Sequence, residues 1–323
     1  MKFRRIIALS LSLILGVVLL SGCSSQPAEN NGNDNGETYK FAFLPNTQNN
    51  TFQIAMNDTL KKLCDEKGYS YTCLDPDYDL NKQLGQMSDA ANKDYDAVFV
   101  IPVDSQGIRQ GLQAFKDAGI PVFNVDTAVS DEDRDLVETL VATDCVMAGE
   151  LVGKQMAEDY PDGAKIAILD FPSNESCLDR VEGFLKGLGE NKDKFEIVAQ
   201  QDGKAALEDS LSIAEDILQK NPELDAFFCI NDPSSLGAAA AIKGAGKTGE
   251  IGVYSIDASP DGKQALIDGE FTAVAAQVPV QIAEKAFELA ETYLSGGTIE
   301  DEYYLASMLI TLEMAKETKD SWQ

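Results

Sequence analysis

The chain has 323 residues, 44% of them hydrophobic and 25% charged, which is material for two globular cores. Acidic side chains outnumber basic ones 54 to 26, a formal net charge of −28, and this excludes charge-driven binding to nucleic acid or to an anionic membrane surface. Histidine is absent, which removes His-dependent triads and most catalytic zinc sites.

The N-terminus carries Lys2, Arg4 and Arg5, an apolar stretch over residues 6–20, and then Leu20-Ser21-Gly22-Cys23. A positive start, a short apolar run and small residues before a cut site make a secretory signal over residues 1–22. An apolar run of about 15 is short of the ~20 that a spanning helix needs. The ending resembles the lipobox of bacterial lipoproteins, which implies that Cys23 is the lipid attachment point. Residues 23–38 are rich in Asn, Gly, Ser and Glu without apolar periodicity and read as a flexible tether. The folded body is therefore expected outside the cytoplasm, anchored by lipid to the outer face of the bacterial cell membrane.

Residues 40–45 read as a first strand that ends in Asn46-Thr-Gln-Asn49-Asn50-Thr-Phe52. A helix follows, with Phe52, Ala55, Met56, Thr59, Leu60 and Leu63 on one face, and Gly68 closes it. A strand over 69–74 leads to Asp75-Pro-Asp77-Tyr-Asp79 and a helix carrying Leu80, Leu84, Met87 and Ala91. The alternate carboxylates suggest a calcium loop, but Leu80 and Gln86 stand where such a loop has Gly and Glu. Acids favoured at a helix N-terminus are the better explanation. An acidic loop at 130–135 and a short strand at 139–142 precede a crossing to a second lobe. Helices at 146–160, 180–188 and 206–219 then alternate with strands at 165–170 and 195–200. A strand at 272–275 ends near Gln277, Pro279 opens a helix, and a closing strand is expected around 305–311. Strict β/α alternation predicts an α/β fold of two Rossmann-like, doubly wound parallel-sheet lobes.

The two lobes carry a repeat. Asp96-Ala-Val-Phe-Val-Ile101, with Ser105 and Asp126 after it, matches Asp225-Ala-Phe-Phe-Cys-Ile230, with Ser234 and Asp257. Each copy is an apolar run ended abruptly by polar residues, as for buried parallel strands that deliver hydrogen-bonding groups to the crevice at their carboxyl ends. Asn231, Asp257 and Asp126 are the candidates so delivered, and Asp170 is expected at the cleft as well. Five cysteines follow Cys23, an odd number without short-spaced pairs, which argues against a disulfide framework and a zinc site. A Cys64–Cys73 bridge stays open. Gly244-Ala-Gly246-Lys-Thr-Gly249 fits a nucleotide fingerprint but follows a helix and precedes a strand, the reverse of the phosphate-binding order, and reads as a helix-ending turn.

Asn49-Asn50-Thr-Phe52, Gly119-Ile-Pro-Val with Asp126, Arg180-Val-Glu-Gly-Phe184, Asn231-Asp232, Asp257-Ala-Ser-Pro-Asp-Gly262 and Gln277-Val-Pro279 occur in one order. In that order the chain resembles the type I periplasmic binding proteins, specifically the ribose/galactose-type sugar-binding components of ABC transporters, over about residues 39–311. The resemblance implies a three-crossing hinge near Thr143, Val278 and Leu305. One lobe would comprise 39–143 plus 278–305, the other 144–277 plus 306–318. It implies polar ligand contacts from Asn46, Asn50, Asp126, Asn231, Asp257 and Gln277 and a stacking ring from Phe52. Leu178 stands where ribose binders have a ligand-binding Arg, Ala205 where they have a further aromatic, and Ile101 where they have a polar residue. These departures put ribose in doubt, with Phe171 as a candidate replacement ring and Arg180 as a ligand or supporting residue. The expected function is solute capture for an ABC permease, by a monomer closing on a sugar or polyol. No metal or cofactor is expected.

After the signal, Arg109, Arg134 and Arg180 are the remaining guanidinium groups. An anion site usually needs a bidentate Arg or a helix N-terminus, so a neutral or cationic ligand is expected. Two readings compete with transport. A carboxylate pair such as Asp126 and Asp257 could act as a glycosidase, and a solute sensor docking on a chemotaxis or two-component receptor would use the same closure. The repressors that share this two-lobed fold begin with a DNA-binding helix-turn-helix; a signal and tether stand there instead.

Overall fold

The computed structural model describes residues 38–322. The expected signal peptide, Cys23 and the tether as far as residue 37 lie outside the described residues. Among the described residues, eleven strands alternate with helices. The first sheet holds β1 (Lys40–Leu44), β2 (Ser70–Cys73), β3 (Ala97–Val100), β4 (Val122–Val125) and β5 (Thr139–Thr143). The second holds β6 (Lys165–Asp170), β7 (Glu196–Asp202), β8 (Ala226–Cys229), β9 (Gly252–Asp257) and β10 (Ala273–Ala276), and β11 (Glu302–Leu305) returns to the first. The orders are β11-β5-β4-β3-β1-β2 and β10-β9-β8-β6-β7, with every pair parallel. Strands β3, β4, β8, β9 and β10 are buried along their whole length, as parallel strands covered on both faces must be. Two doubly wound α/β lobes result, as the alternation predicts.

The covering helices are α1 (Thr51–Lys67), α2 (Leu80–Ala90) and α3 (Arg109–Ala118) in the first lobe, and α4 (Cys145–Asp159), α5 (Glu175–Gly187), α6 (Leu207–Lys220), α7 (Asp232–Gly244) and α8 (Pro260–Ile267) in the second. Helix α9 (Pro279–Leu294) returns to pack on α1 with Ile282, Ala286 and Phe287 in the first lobe's core, and α10 (Leu312–Thr318) packs on α8. Helices α4 and α5 cross with their backbones nearly touching. A Cβ on Gly149 would lie 2.1 Å from the Arg180 carbonyl oxygen, and one on Gly183 would lie 2.0 Å from that of Val146. This crossing fixes the α5 turn that carries Arg180.

The repeat has a structural counterpart. Asp96 Oδ2 accepts from Lys40 N, and Asp225 Oδ2 accepts from Lys165 N, both at 2.7 Å, so each copy ties its strand to the first strand of its lobe. The closing strand lies earlier than expected. β11 ends at Leu305, and beyond it Leu309 forms an isolated antiparallel bridge to Ala275. The 305–311 segment crosses between sheets: Asp144 N donates to Leu305 O in one, while Ile310 N donates to Val274 O in the other. Hydrophobicity alone could not divide such a segment between two sheets.

The acidic run at 75–79 works as helix-start chemistry. Asp79 accepts from Lys82 N at 3.1 Å, and Asp75 accepts from Gln48 N and Asp77 N. Cys64 and Cys73 are free thiols, both pushed up to about 12 by burial first and by nearby carboxylates second. At the glycine-rich turn, Gly246 takes φ +74° and Lys247 N donates to Ile242 O, which stops α7.

Candidate functional site

The carboxyl ends of both sheets face each other across one cavity of about 410 Å³, counted to its open mouth. Asn46, Asn50, Phe52, Asp126, Phe171, Arg180, Asn231, Asp257 and Gln277 all line it. The strand ends place them. Asp126 follows β4 with φ +62°, and Asp257 ends β9 with φ +129°, so the two aspartates related by the repeat both have positive φ. For residues with a Cβ such a conformation is strained and points to a site that over-determines it.

Three of the asparagines are also structural. Asn50 caps α1 through its Oδ1, which accepts from Phe52 N at 2.8 Å. Asn231 caps α7 by accepting from Ser234 N at 3.0 Å, while its Nδ2 donates to Ala205 O at 3.1 Å. Each amide keeps a further lone pair, and Asn231 a further N–H, for a ligand. The Asn46 side-chain oxygen accepts from Gln53 Nε2, and Gln53 Oε1 accepts from Asn46 N, so Asn46 is held by a neighbour that is itself in the wall.

The electrostatics centre on Arg180. It is 5% exposed, donates through Nη1 to Ile230 O at 2.8 Å and stands 3.8 Å from Asp257 Oδ1. Asp257 Oδ1 also accepts from Gln277 Nε2 at 2.6 Å, and its Oδ2 accepts from Asp232 N at 3.2 Å. Burial pushes Asp126 up to about 6; Arg180 opposes the shift and Asp257 adds to it. Burial raises Asp257 as well, against Arg180 and its hydrogen bonds. Among the described residues, Asp126 Oδ1 and Arg180 Nε have no hydrogen-bond partner although both atoms are buried. A buried acceptor and a buried donor left open at one cavity wall are what hydroxyl recognition requires. Behind the wall, Asp232 is raised first by burial and then by Asp257. It accepts from Ser255 Oγ and from Ser259 N and Oγ, each at 2.7 Å. It supports the β9 end and does not line the cavity.

The lobes are closed on each other. Asn174, which caps α5 as Asn50 caps α1, donates from Nδ2 to Thr127 Oγ1 at 3.2 Å, and Ser176 Oγ donates to Asp126 O at 3.3 Å. Sequence reasoning missed Asn174 and Thr127, and also Gln53, Tyr78 and Cys177, which complete the wall together with Ala205, the position that lacks the expected ring. Asn174 had a signal, since it opens the helix after the first strand of its lobe, as Asn50 does. Tyr78 had none: it sits in the acidic run with φ +59°, and its hydroxyl bonds the Asn50 side chain. Asp170 departs from expectation. Its carboxylate accepts from Phe171 N at 2.7 Å and Gln200 Nε2 at 2.6 Å and is not part of the wall. Leu178 is 41% exposed and does not line the cavity.

Fold and site together define a two-lobed clamp that encloses a small solute between parallel sheets. The chain belongs to the periplasmic binding protein domain family, whose pattern it matches over residues 41–298. It is 29% identical over 297 residues to the ribose import binding protein of Bacillus subtilis, covering 91% of this chain and 95% of that one. A Mycobacterium smegmatis structure in complex with β-D-fucofuranose is 27% identical with a TM-score of 0.82, covering 87% of this chain and 93% of that one. An ABC transporter solute binding protein from Agrobacterium vitis with bound D-fucose is 25% identical, again with a TM-score of 0.82, and covers 88% and 100%.

Proposed function

We propose that this protein captures a neutral monosaccharide or a closely related polyol and hands it to an ABC permease. The observation that carries the reading is the wall itself: Asp126, Asp257, Gln277, Asn50 and Asn231 around a cavity that also presents the Phe52 and Phe171 rings. Carboxylates and carboxamides provide the paired donors and acceptors that adjacent hydroxyls need, and flat rings suit the C–H faces of a sugar. Phe171 takes the place of the ring that Ala205 lacks. One buried guanidinium faces two carboxylates, so the wall offers no surplus positive charge to a phosphate or carboxylate ligand. A relative named for ribose import and two solved relatives with bound β-D-fucofuranose and D-fucose support a sugar without fixing which one.

Capture proceeds by closure. A ligand that bridges Asp126 in one lobe and Asp257 in the other favours the closed state, because only there are both sets of bonds made. The bodies that move are residues 39–143 plus 278–305 against 144–277 plus 306–318, hinged near Thr143, Val278 and Leu305. The protein works as a monomer without cofactor, held at the outer face of the membrane through Cys23 once residues 1–22 are removed, with 23–38 as the tether. A thermal-shift screen of the folded body against pentoses, hexoses, polyols, disaccharides, amino compounds and sugar phosphates tests the reading. Stabilisation by one or a few neutral monosaccharides is expected, and tight binding of a sugar phosphate would refute it.

A further inference from the structure

The segment after α10 makes contacts that closure of two lobes does not by itself require. Lys263 of α8 is fully buried, and its ammonium donates to Thr318 O at 2.8 Å, Thr318 Oγ1 at 3.1 Å and Ser321 O at 2.6 Å. A cation on the last carbonyls of a helix is favourable, and here it fastens the 318–321 turn to the second lobe. The next residue goes to the other lobe. Trp322, the one tryptophan of the sequence, meets Phe52 edge-on with ring centroids 5.6 Å apart and planes at 83°. It packs against the apolar cluster of the first lobe that includes Phe52, Met56 and Val278. Phe52 is at once the partner of Trp322 and a wall of the cavity.

We propose that Trp322 is a positioning residue for the ligand, holding the Phe52 ring toward the cavity and tying it through Ser321 and Lys263 to the second lobe. The proposal rests on the reading of the cavity as a sugar clamp. Adjacent Cα atoms are about 3.8 Å apart, so the link between the two anchors has almost no slack. Any opening that separates α1 from α8 by more than a few ångströms must pull Trp322 off Phe52 or Ser321 off Lys263. Closing the lobes and seating the ring are then one event, and tryptophan emission reports it.

The test uses the full chain and begins without ligand. Lys263→Met, which releases the anchor, and Phe52→Leu, which removes the ring, should each shift the Trp322 emission to the red and increase its quenching by acrylamide. Circular dichroism identifies any variant that fails to fold, and the remaining one decides. Unchanged emission in a folded variant overturns the tie. Calorimetry with D-ribose, D-fucose and D-galactose reads the positioning role. Trp322→Ala should weaken the sugar that the wild type binds about three- to tenfold, the range of one edge-to-face aromatic contact, and Trp322→Phe should largely restore it. Equal affinity of Trp322→Ala and wild type overturns the positioning role. If the wild type binds none of the three, the neutral sugar or polyol found by the thermal-shift screen replaces them; failure of that whole screen overturns the sugar reading alone, and the emission result still decides the tie.

Discussion

Replacing Arg180 by methionine keeps the length of the side chain and removes the charge that faces two buried carboxylates. At the observed 3.8 Å to Asp257, two unit charges attract by about 4 kcal/mol at an effective dielectric constant of ~20. The Ile230 carbonyl also loses a charged hydrogen-bond donor, worth roughly 1.5–3 kcal/mol. Solvent relaxation offsets part of this, so the expected loss is about 3–5 kcal/mol, the range for removing one partner of a buried pair. Its pH dependence follows from the direction of the carboxyl shifts. Burial raises Asp126 to about 6 and raises Asp257, and Arg180 holds both down. Without the guanidinium both rise further, so the loss is full where the wild-type carboxylates are ionised and shrinks as falling pH protonates them, for Asp126 through about 6. Urea unfolding of wild type and Arg180→Met at about pH 7.5 and about pH 5 measures the difference between the two losses. An equal loss at both pH values would refute the role of Arg180 as counter-charge to the pair.

Asp257→Ala should weaken sugar binding by roughly 2–5 kcal/mol, by analogy with truncating one partner of a buried charged hydrogen bond; an unchanged dissociation constant removes Asp257 from the contact set. Asp126→Asn should raise the melting temperature of the unliganded protein above about pH 6, where keeping a carboxylate of raised pKa ionised costs up to about 3 kcal/mol. The same variant should give no gain near pH 4, where the wild-type group is already neutral in the fold. In the wild type, affinity should rise with pH through about 6, because the ionised carboxylate is the stronger acceptor for a sugar hydroxyl; a flat profile from pH ~5 to ~8 would contradict a contact at Asp126. Gly183→Ala would bring a Cβ to 2.0 Å from the Val146 carbonyl oxygen, and the forced separation of α4 and α5 should cost about 1–3 kcal/mol or more and move Arg180 off its partners. Calorimetric melting together with sugar titration checks both consequences.

Much of the site was legible because strand ends are legible. An apolar run that stops at Asp257, or at Asn231 after Ile230, marks both the end of a buried parallel strand and the rim of a cleft. The repeat doubles the signal by pairing Asp126 with Asp257. Asp170 satisfies the same pattern and still turns away, because Gln200 of the neighbouring strand and the Phe171 amide take its oxygens. Pattern gives the position of a side chain on a strand and leaves the competition for its lone pairs undecided. Tyr78 shows the opposite failure. It reaches the cavity from a run of acids because Asp77 and Tyr78 both adopt positive φ, a backbone reversal that no residue type there announces.

The sequence by itself determined the class of fold, two parallel α/β lobes, and the polar strand ends that could meet a ligand, because β/α periodicity and the punctuation of apolar runs are local properties. Tertiary structure decided which groups stand opposite one another. It set Arg180 against Asp257, seated Asn174 of one lobe on Thr127 of the other, and carried Trp322 to Phe52, contacts between residues separated by 77, 47 and 270 positions in the chain. Such contacts depend on how the two sheets close over each other and on the glycine crossing of α4 and α5, and no window of sequence contains both partners.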